Sequence, residues 1–168
     1  GSAPVRRHRA GCPSPDSASL RLTGALTVSA WVRPPGAAST QYLVKKADFG
    51  VTDGYELSLS STGKPFFRVN QATSGDTYRV NAPPTAVVAD GSTWVHLAAT
   101  YDGRTMMLYV NGAWSRRPRG PASVAANTVA LTLADQPRAA IRSPARSTRS
   151  GVYNRALTAS EIAGLATR

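Results

Sequence analysis

From Leu26 onward, apolar residues alternate with polar ones or gather in short runs, and turn residues separate one run from the next. That spacing predicts strands, because successive side chains of an extended chain point to opposite faces. The expected strands are 26–33, 42–46, 54–60, 65–70, 77–81, 94–101, 105–110, 113–116, 129–133 and 151–154. Val95, Leu97 and Ala99 illustrate the rule, falling together on one face. The connectors carry their own chemistry. Thr62-Gly63-Lys64, Ser74-Gly75-Asp76, Asp90-Gly91 and Asp102-Gly103 supply the positive φ angles of tight turns. Asn111-Gly112, between Leu108-Tyr109-Val110 and Ala113-Trp114, specifies a two-residue type I′ hairpin, in which both central residues are left-handed.

The period changes once, near the C-terminus. Thr158-Ala159-Ser160-Glu161 fits a capping box, and Leu157 and Ile162 occupy the positions of a hydrophobic staple. A short helix of about two turns is expected there, weakened by Gly164. Ten short strands and one such helix make an all-β chain. Single apolar faces have to be buried against one another, so a two-sheet antiparallel sandwich is the expected architecture.

The chain has 168 residues, of which 42% are hydrophobic, enough for the core of one domain and cramped for two. We place that domain at 16–168 and read 1–15 as an N-terminal extension. Gly1-Ser2 there resembles a cloning remnant, so a secretion signal and neighbouring domains are expected outside this sequence. No run approaches the roughly 20 apolar residues of a membrane-spanning helix. Cys12 is the sole cysteine, which excludes an intramolecular disulfide.

The net charge of +11 suggests a polyanion partner until its distribution is followed. Residues 1–12 carry +3 and residues 116–149 carry +6, whereas the long middle, 13–115, carries only +1. Arg116, Arg117 and Arg119 near Trp114 are the loose beginnings of a basic, aromatic surface. With 17 arginines against three lysines, a biased base composition accounts for the excess as well as selection does, and nucleic acid is not the expected partner.

Three stretches, taken together, resemble the laminin G-like domains of bacterial proteins in the concanavalin A-like lectin/glucanase superfamily. They are Leu20-Arg21-Leu22-Thr23-Gly24-Ala25-Leu26-Thr27-Val28-Ser29-Ala30-Trp31-Val32-Arg33-Pro34, then Trp94-Val95-His96-Leu97-Ala98-Ala99-Thr100-Tyr101-Asp102-Gly103 continuing to Asn111-Gly112, and Val152-Tyr153-Asn154-Arg155-Ala156-Leu157-Thr158 ending with Glu161-Ile162. The resemblance spans roughly residues 16–165 and implies a jelly-roll sandwich. It departs from the family at Arg146-Ser147-Thr148-Arg149-Ser150, where an Ile-Asp-Glu-Val run is usual. These motifs specify a fold, and fold alone does not specify a ligand.

The superfamily's glycoside hydrolases need two carboxylates flanking the scissile bond. Only nine acidic residues are present, none in a Glu-x-Asp-x-Glu alternation, and Asp53 and Glu56 fall on opposite faces of an extended segment. His96 lies inside a fold motif with no paired Ser or Cys, so a structural role is expected of it. The resemblance therefore implies a non-catalytic, secreted or surface-displayed module that holds a carbohydrate or a glycoprotein surface for neighbouring domains. A protein-binding adhesion module is the alternative.

Sugars are held by flat aromatic faces and a few fixed polar groups. The candidates are Trp114, Tyr55, Phe67, Arg68, Asn70, Asp76 and Tyr78, while Trp31 and Trp94 belong to the fold motifs. No cofactor is required by any motif. The resemblance does bring a structural Ca2+ into consideration, for which Asp48, Asp53 and Asp76 are the candidate oxygen donors.

Overall fold

The structure is a computed structural model that describes residues 6–8, 14–34, 39–83, 85–116, 119–133 and 146–167, with side chains except at 6–8, 114–116 and 146–149. Eleven strands are described: β1 (Arg6–His8), β2 (Leu26–Arg33), β3 (Gln41–Asp48), β4 (Thr52–Leu59), β5 (Pro65–Val69), β6 (Arg79–Asn81), β7 (Val95–Tyr101), β8 (Met106–Val110), β9 (Ala113–Arg116), β10 (Thr132–Leu133) and β11 (Arg146–Tyr153). Two α-helices accompany them, the single turn α1 (Gln71–Ser74) and the C-terminal α2 (Ala159–Leu165), together with a 3-10 turn at Ala18–Leu20. One antiparallel sheet runs β1-β11-β2-β7-β8-β9 and the other β10-β3-β4-β5-β6, which is the expected jelly-roll sandwich.

The alternation read from the sequence sets what lies between the sheets. Leu26, Val28, Ala30 and Val32 of β2 and Val95, Leu97, Ala99 and Tyr101 of β7 share one buried cluster with Tyr55, Leu57 and Leu59 of β4 and with Phe67 and Val69 of β5. Asn111 (φ 51°) and Gly112 (φ 82°) are both left-handed and join β8 to β9 as the hairpin rule requires. Gly54 is needed for space: a Cβ there would stand 1.9 Å from the Lys46 carbonyl oxygen.

Several elements differ from expectation, among them α1, a helical turn where only the C-terminal helix was expected, and β6, which starts at Arg79 rather than Thr77. Arg6–His8, outside the domain as read from the sequence, pairs along β11 as an edge strand. The expected strand at 129–133 is shorter, pairing as a strand only at Thr132–Leu133, with Leu131 bridged to Ser14. The final strand forms despite the departure at 146–150, and a register shift between Ser147 and Arg149 in its pairing with β2 accommodates it. Cys12 lies outside the described residues.

The outer face of the six-stranded sheet is closed by the C-terminal segment. Thr158 caps α2 through the capping box with Glu161, and Leu157 and Ile162 pack with Ala98, Tyr109 and Tyr153. His96 lies beneath it, 1% exposed and 5.4 Å from the Trp31 ring, whose indole donates to the Leu165 carbonyl at 3.1 Å. Burial holds the imidazole down, to a pKa of about 4. A neutral, enclosed ring fits the structural role expected of His96.

Candidate binding site

The outer face of the five-stranded sheet is built differently. In β4, Tyr55, Leu57 and Leu59 turn inward, so Glu56 and Ser58 turn outward; in β5, Phe67 and Val69 turn inward, so Phe66 and Arg68 turn outward. Register then lays these residues in two cross-strand rows. One row reads Lys45, Glu56, Arg68, Arg79 and the next reads Tyr42, Ser58, Phe66, Asn81. A bulge in β3 makes the first row possible. Leu43 and Val44 both enter the core, after which Lys45 faces outward, while Lys46 pairs with inward-facing Tyr55 and bonds Asp16 at 2.7 Å and the Val129 carbonyl at 2.6 Å.

The first row is a continuous chain of charge. Arg68 donates to Glu56 Oε1 from Nε at 2.9 Å and from Nη2 at 2.6 Å, and its Nη1 donates to Asp76 at 2.6 Å. Asp76 also accepts from Arg79 at 3.1 Å, and Lys45 lies 3.5 Å from Glu56 Oε2. Lys45, Glu56 and Arg68 are buried, and burial pulls the Lys45 ammonium below its ordinary pKa despite the nearby Glu56. Burial works to raise the Asp76 carboxyl, but the Arg68 hydrogen bond and the charges of Arg79 and Arg68 outweigh it, so the net direction is down.

Aromatic rings line this chain. Lys45 Nζ sits 3.7 Å from the Tyr42 ring centre and the Arg79 guanidinium 3.9 Å from that of Phe66, distances at which a cation is attracted to the ring face. Phe49, at the tip of the β3–β4 hairpin, lies 5.4 Å from the Arg68 guanidinium and is 58% exposed. Its turn is braced by α1, where the Gln71 side chain accepts from the Gly50 amide at 2.6 Å and Asp53 accepts from the Thr73 amide and hydroxyl.

Of the candidates read from the sequence, Arg68 and Asp76 fall in the charged row. Tyr55 and Phe67 need correction. Both are core residues, 2% and 0% exposed, and Tyr55 spends its hydroxyl on the Leu20 carbonyl, so neither offers a face to a ligand. Tyr78 likewise packs against the core. Asn70 acts as a clamp, its amide donating to the Ser123 carbonyl and its carbonyl accepting from the Ala125 amide. The backbone of Trp114 pairs with Tyr109, and its side chain lies outside the described residues. Tyr42, Lys45, Phe49, Glu56, Ser58, Phe66 and Arg79 share this face and were not among the binding candidates, although Tyr-Glu-Leu-Ser-Leu and Phe-Arg-Val already alternate in the sequence.

The calcium expectation does not fit these residues. Asp53 is held by Thr73 and Asp76 by two arginines, and among the described residues no three of His, Cys, Asp and Glu come together. Glu56 and Asp76 are brought near one another, but the Arg68 guanidinium stands between them and bonds both.

A sandwich with this order of strands invites comparison with known proteins, and a laminin G-like family model matches residues 9–163. The chain belongs to the concanavalin A-like lectin/glucanase superfamily. Mouse pappalysin-1 is similar to this laminin G-like domain, 29% identical over 134 residues that cover 60% of the domain's chain and 8% of the relative. Among solved structures, the binding domain of Paraclostridial mosquitocidal protein 1 superposes with a TM-score of 0.69 at 18% identity, covering 90% of this chain and 39% of that one. The ligand-binding domain of botulinum neurotoxin serotype D, in complex with N-acetylneuraminic acid, gives 0.64 at 11% identity, covering 89% and 38%. The domain thus spans well under half the length of each of these proteins. No helix among the described residues is long and apolar enough to cross a membrane.

Proposed function

We propose that this domain is a non-catalytic recognition module that holds a carbohydrate, or a glycosylated surface, for a larger secreted or surface-displayed protein. The observation that carries this reading is the Phe49 ring, more than half exposed on a braced hairpin beside a fixed row of charged side chains. Sugar recognition needs that pairing, because a ring face covers the C–H surface of a pyranose while fixed polar groups replace the water on its hydroxyls. Asp76 and Arg79, both reaching solvent, are the polar groups within this arrangement. The comparison with a toxin domain that holds N-acetylneuraminic acid supports the same reading.

Catalysis is left out because the two carboxylates that this face brings together, Glu56 and Asp76, are both bonded by the Arg68 guanidinium, which occupies the place a scissile bond would take between them. The competing reading, protein adhesion, draws on Val51, 70% exposed beside Phe49 on the same tip. A glycan array probed with the whole chain and with Phe49→Ala separates the two. Retention of a glycan that Phe49→Ala loses is expected; capture of a protein with no glycan above background would overturn the carbohydrate reading.

A further inference from the structure

The hairpin that carries Phe49 is interrupted just below its tip. Lys46 of β3 pairs with Tyr55 of β4 and Asp48 with Thr52, so Asp53 and Gly54 stand opposite Ala47 alone. A bulge of this kind breaks the ladder of backbone bonds, and the tip beyond it depends on what is packed around the break. The side chain of Asn127 enters there. Its Nδ2 donates to the Lys46 carbonyl at 3.0 Å and to the Asp53 carbonyl at 2.6 Å, one on each strand, which uses both donors of the amide. Gly54 makes the room, since a Cβ there would stand 2.5 Å from that Nδ2.

Asn127 is itself held in place. Residues 121–130 belong to no helix or strand, yet the segment is fastened along its length. The Val124 amide donates to the Thr23 carbonyl at 3.0 Å, Asn70 clamps Ser123 and Ala125, and the Lys46 ammonium donates to the Val129 carbonyl. Asn127 Oδ1 accepts from the Val129 amide at 3.0 Å, which fixes the direction in which Nδ2 points. The side chain is therefore a strut between a fastened segment and both strands of the hairpin. Gln71 and Thr73 of α1 supply a second strut, through Gly50 and Asp53.

Building on the reading of Phe49 as the ring that meets a ligand, we infer that Asn127 is a positioning residue for that ring. It acts through the hairpin, joining the two strands at the bulge so that the tip is set before a ligand arrives. Binding then does not have to bear the cost of ordering the tip.

Two variants separate this role from one confined to the 121–130 segment. Asn127→Asp keeps an oxygen for the Val129 amide but turns a carboxylate oxygen on the Lys46 and Asp53 carbonyls, and Asn127→Ala removes every bond of the side chain. Thermal melting checks that each folds, and Asn127→Ala carries the test if Asn127→Asp does not. Backbone order parameters of the whole chain, measured by NMR relaxation, are expected near about 0.85 at Gly50 and Val51 in the original and below about 0.6 in both variants, with Leu97 in the centre of β7 unchanged. On a glycan array, Asn127→Asp should cut retention about tenfold, as when only about a tenth of the tips are in the competent arrangement. Adding Asn127→Asp to Phe49→Ala should change nothing further, because a positioning residue has no effect once the ring it positions is gone. An unaltered tip in either folded variant, or losses that add in the double variant, overturns the inference and leaves the carbohydrate reading standing. If the original chain retains no glycan, the carbohydrate reading falls, and the order parameters still decide whether Asn127 sets the tip.

Discussion

On the outer side of the six-stranded sheet, the outward positions of β7, β8 and β11 hold Ala98, Tyr109 and Tyr153, and Leu157 and Ile162 lie over them as a second small core. On the outer side of the five-stranded sheet, the equivalent positions of the alternation hold Glu56, Ser58, Phe66 and Arg68. Both sets of side chains are buried, although the charged row reaches solvent at its Asp76 and Arg79 end. The first is buried through apolar contact, whose contribution scales with the area buried. The second is buried through ion pairs, whose mutual attraction barely repays the cost of taking each charge out of water. A sandwich needs only the first kind of face to be stable, so the second, kept at little or no gain in stability, is where selection for binding is to be sought.

The largest effect should come from breaking the charged row at its centre. Arg68→Met leaves Glu56 with the Lys45 contact at 3.5 Å, and a buried charge stripped of its partner typically costs about 3–5 kcal/mol. Replacing both partners, as Glu56→Leu with Arg68→Met, should return stability to within about 1 kcal/mol of the original chain or exceed it. Urea denaturation of the two variants decides the matter. An Arg68→Met chain as stable as the original would mean that the row is solvated, and the contrast between the faces would fail.

The next effect belongs to the apolar face and is read by pH. His96 has a folded pKa of about 4 against 6.5 when free, so the unfolded chain takes up its proton first as pH falls. Stability is therefore whole above 6.5 and is lost progressively as pH drops toward 4, by about 3 kcal/mol. The depressed carboxyls of Asp16 and Glu161 lose their contribution only below their free values of 3.8 and 4.5, as pH falls toward about 2. Denaturation at pH 7 and pH 4.5 should show most of the histidine loss in the original chain and little in His96→Gln. An equally steep fall in that variant would place the proton elsewhere.

Much of this architecture was legible in the sequence because apolar alternation and turn chemistry agree. Residues 26–33 and 113–116 begin and end as expected, and Asn111-Gly112 and the Thr158 capping box took the conformations their chemistry demands. The outer face of the five-stranded sheet was harder to read, because its aromatic candidates were not separated by their parity in the alternation. Tyr55 and Phe67 lie one residue from the outward Glu56 and Phe66, and a shift of one residue exchanges the two faces of a sheet. The Phe66-Phe67 and Lys45-Lys46 doublets hide the parity, and the β3 bulge that turns one lysine out and the other in leaves no mark in composition. Beside the carboxylate of Glu56, a lysine and an arginine became visible only once the strands were in register.

The smallest effects sharpen the comparison most, since they ask one hydroxyl on each face what it does. Thr27, fully buried on the outer side of β2, donates to the Arg155 carbonyl at 2.8 Å and accepts from the Leu157 amide at 2.9 Å, tying the C-terminal segment to the sheet. Thr27→Val keeps the shape and leaves both of those backbone groups without this partner, a loss of about 1–3 kcal/mol. Ser58, equally buried, holds nothing among the described residues, so Ser58→Ala removes a desolvated hydroxyl at no cost in lost bonds. Its stability should be unchanged or higher by up to about 1 kcal/mol. Thermal melts of the two single variants should therefore move in different directions, down for Thr27→Val and level or up for Ser58→Ala. If both fall together, the Ser58 hydroxyl is part of the scaffold; if only Thr27→Val falls, the hydroxyl on the charged face is held for something other than the fold.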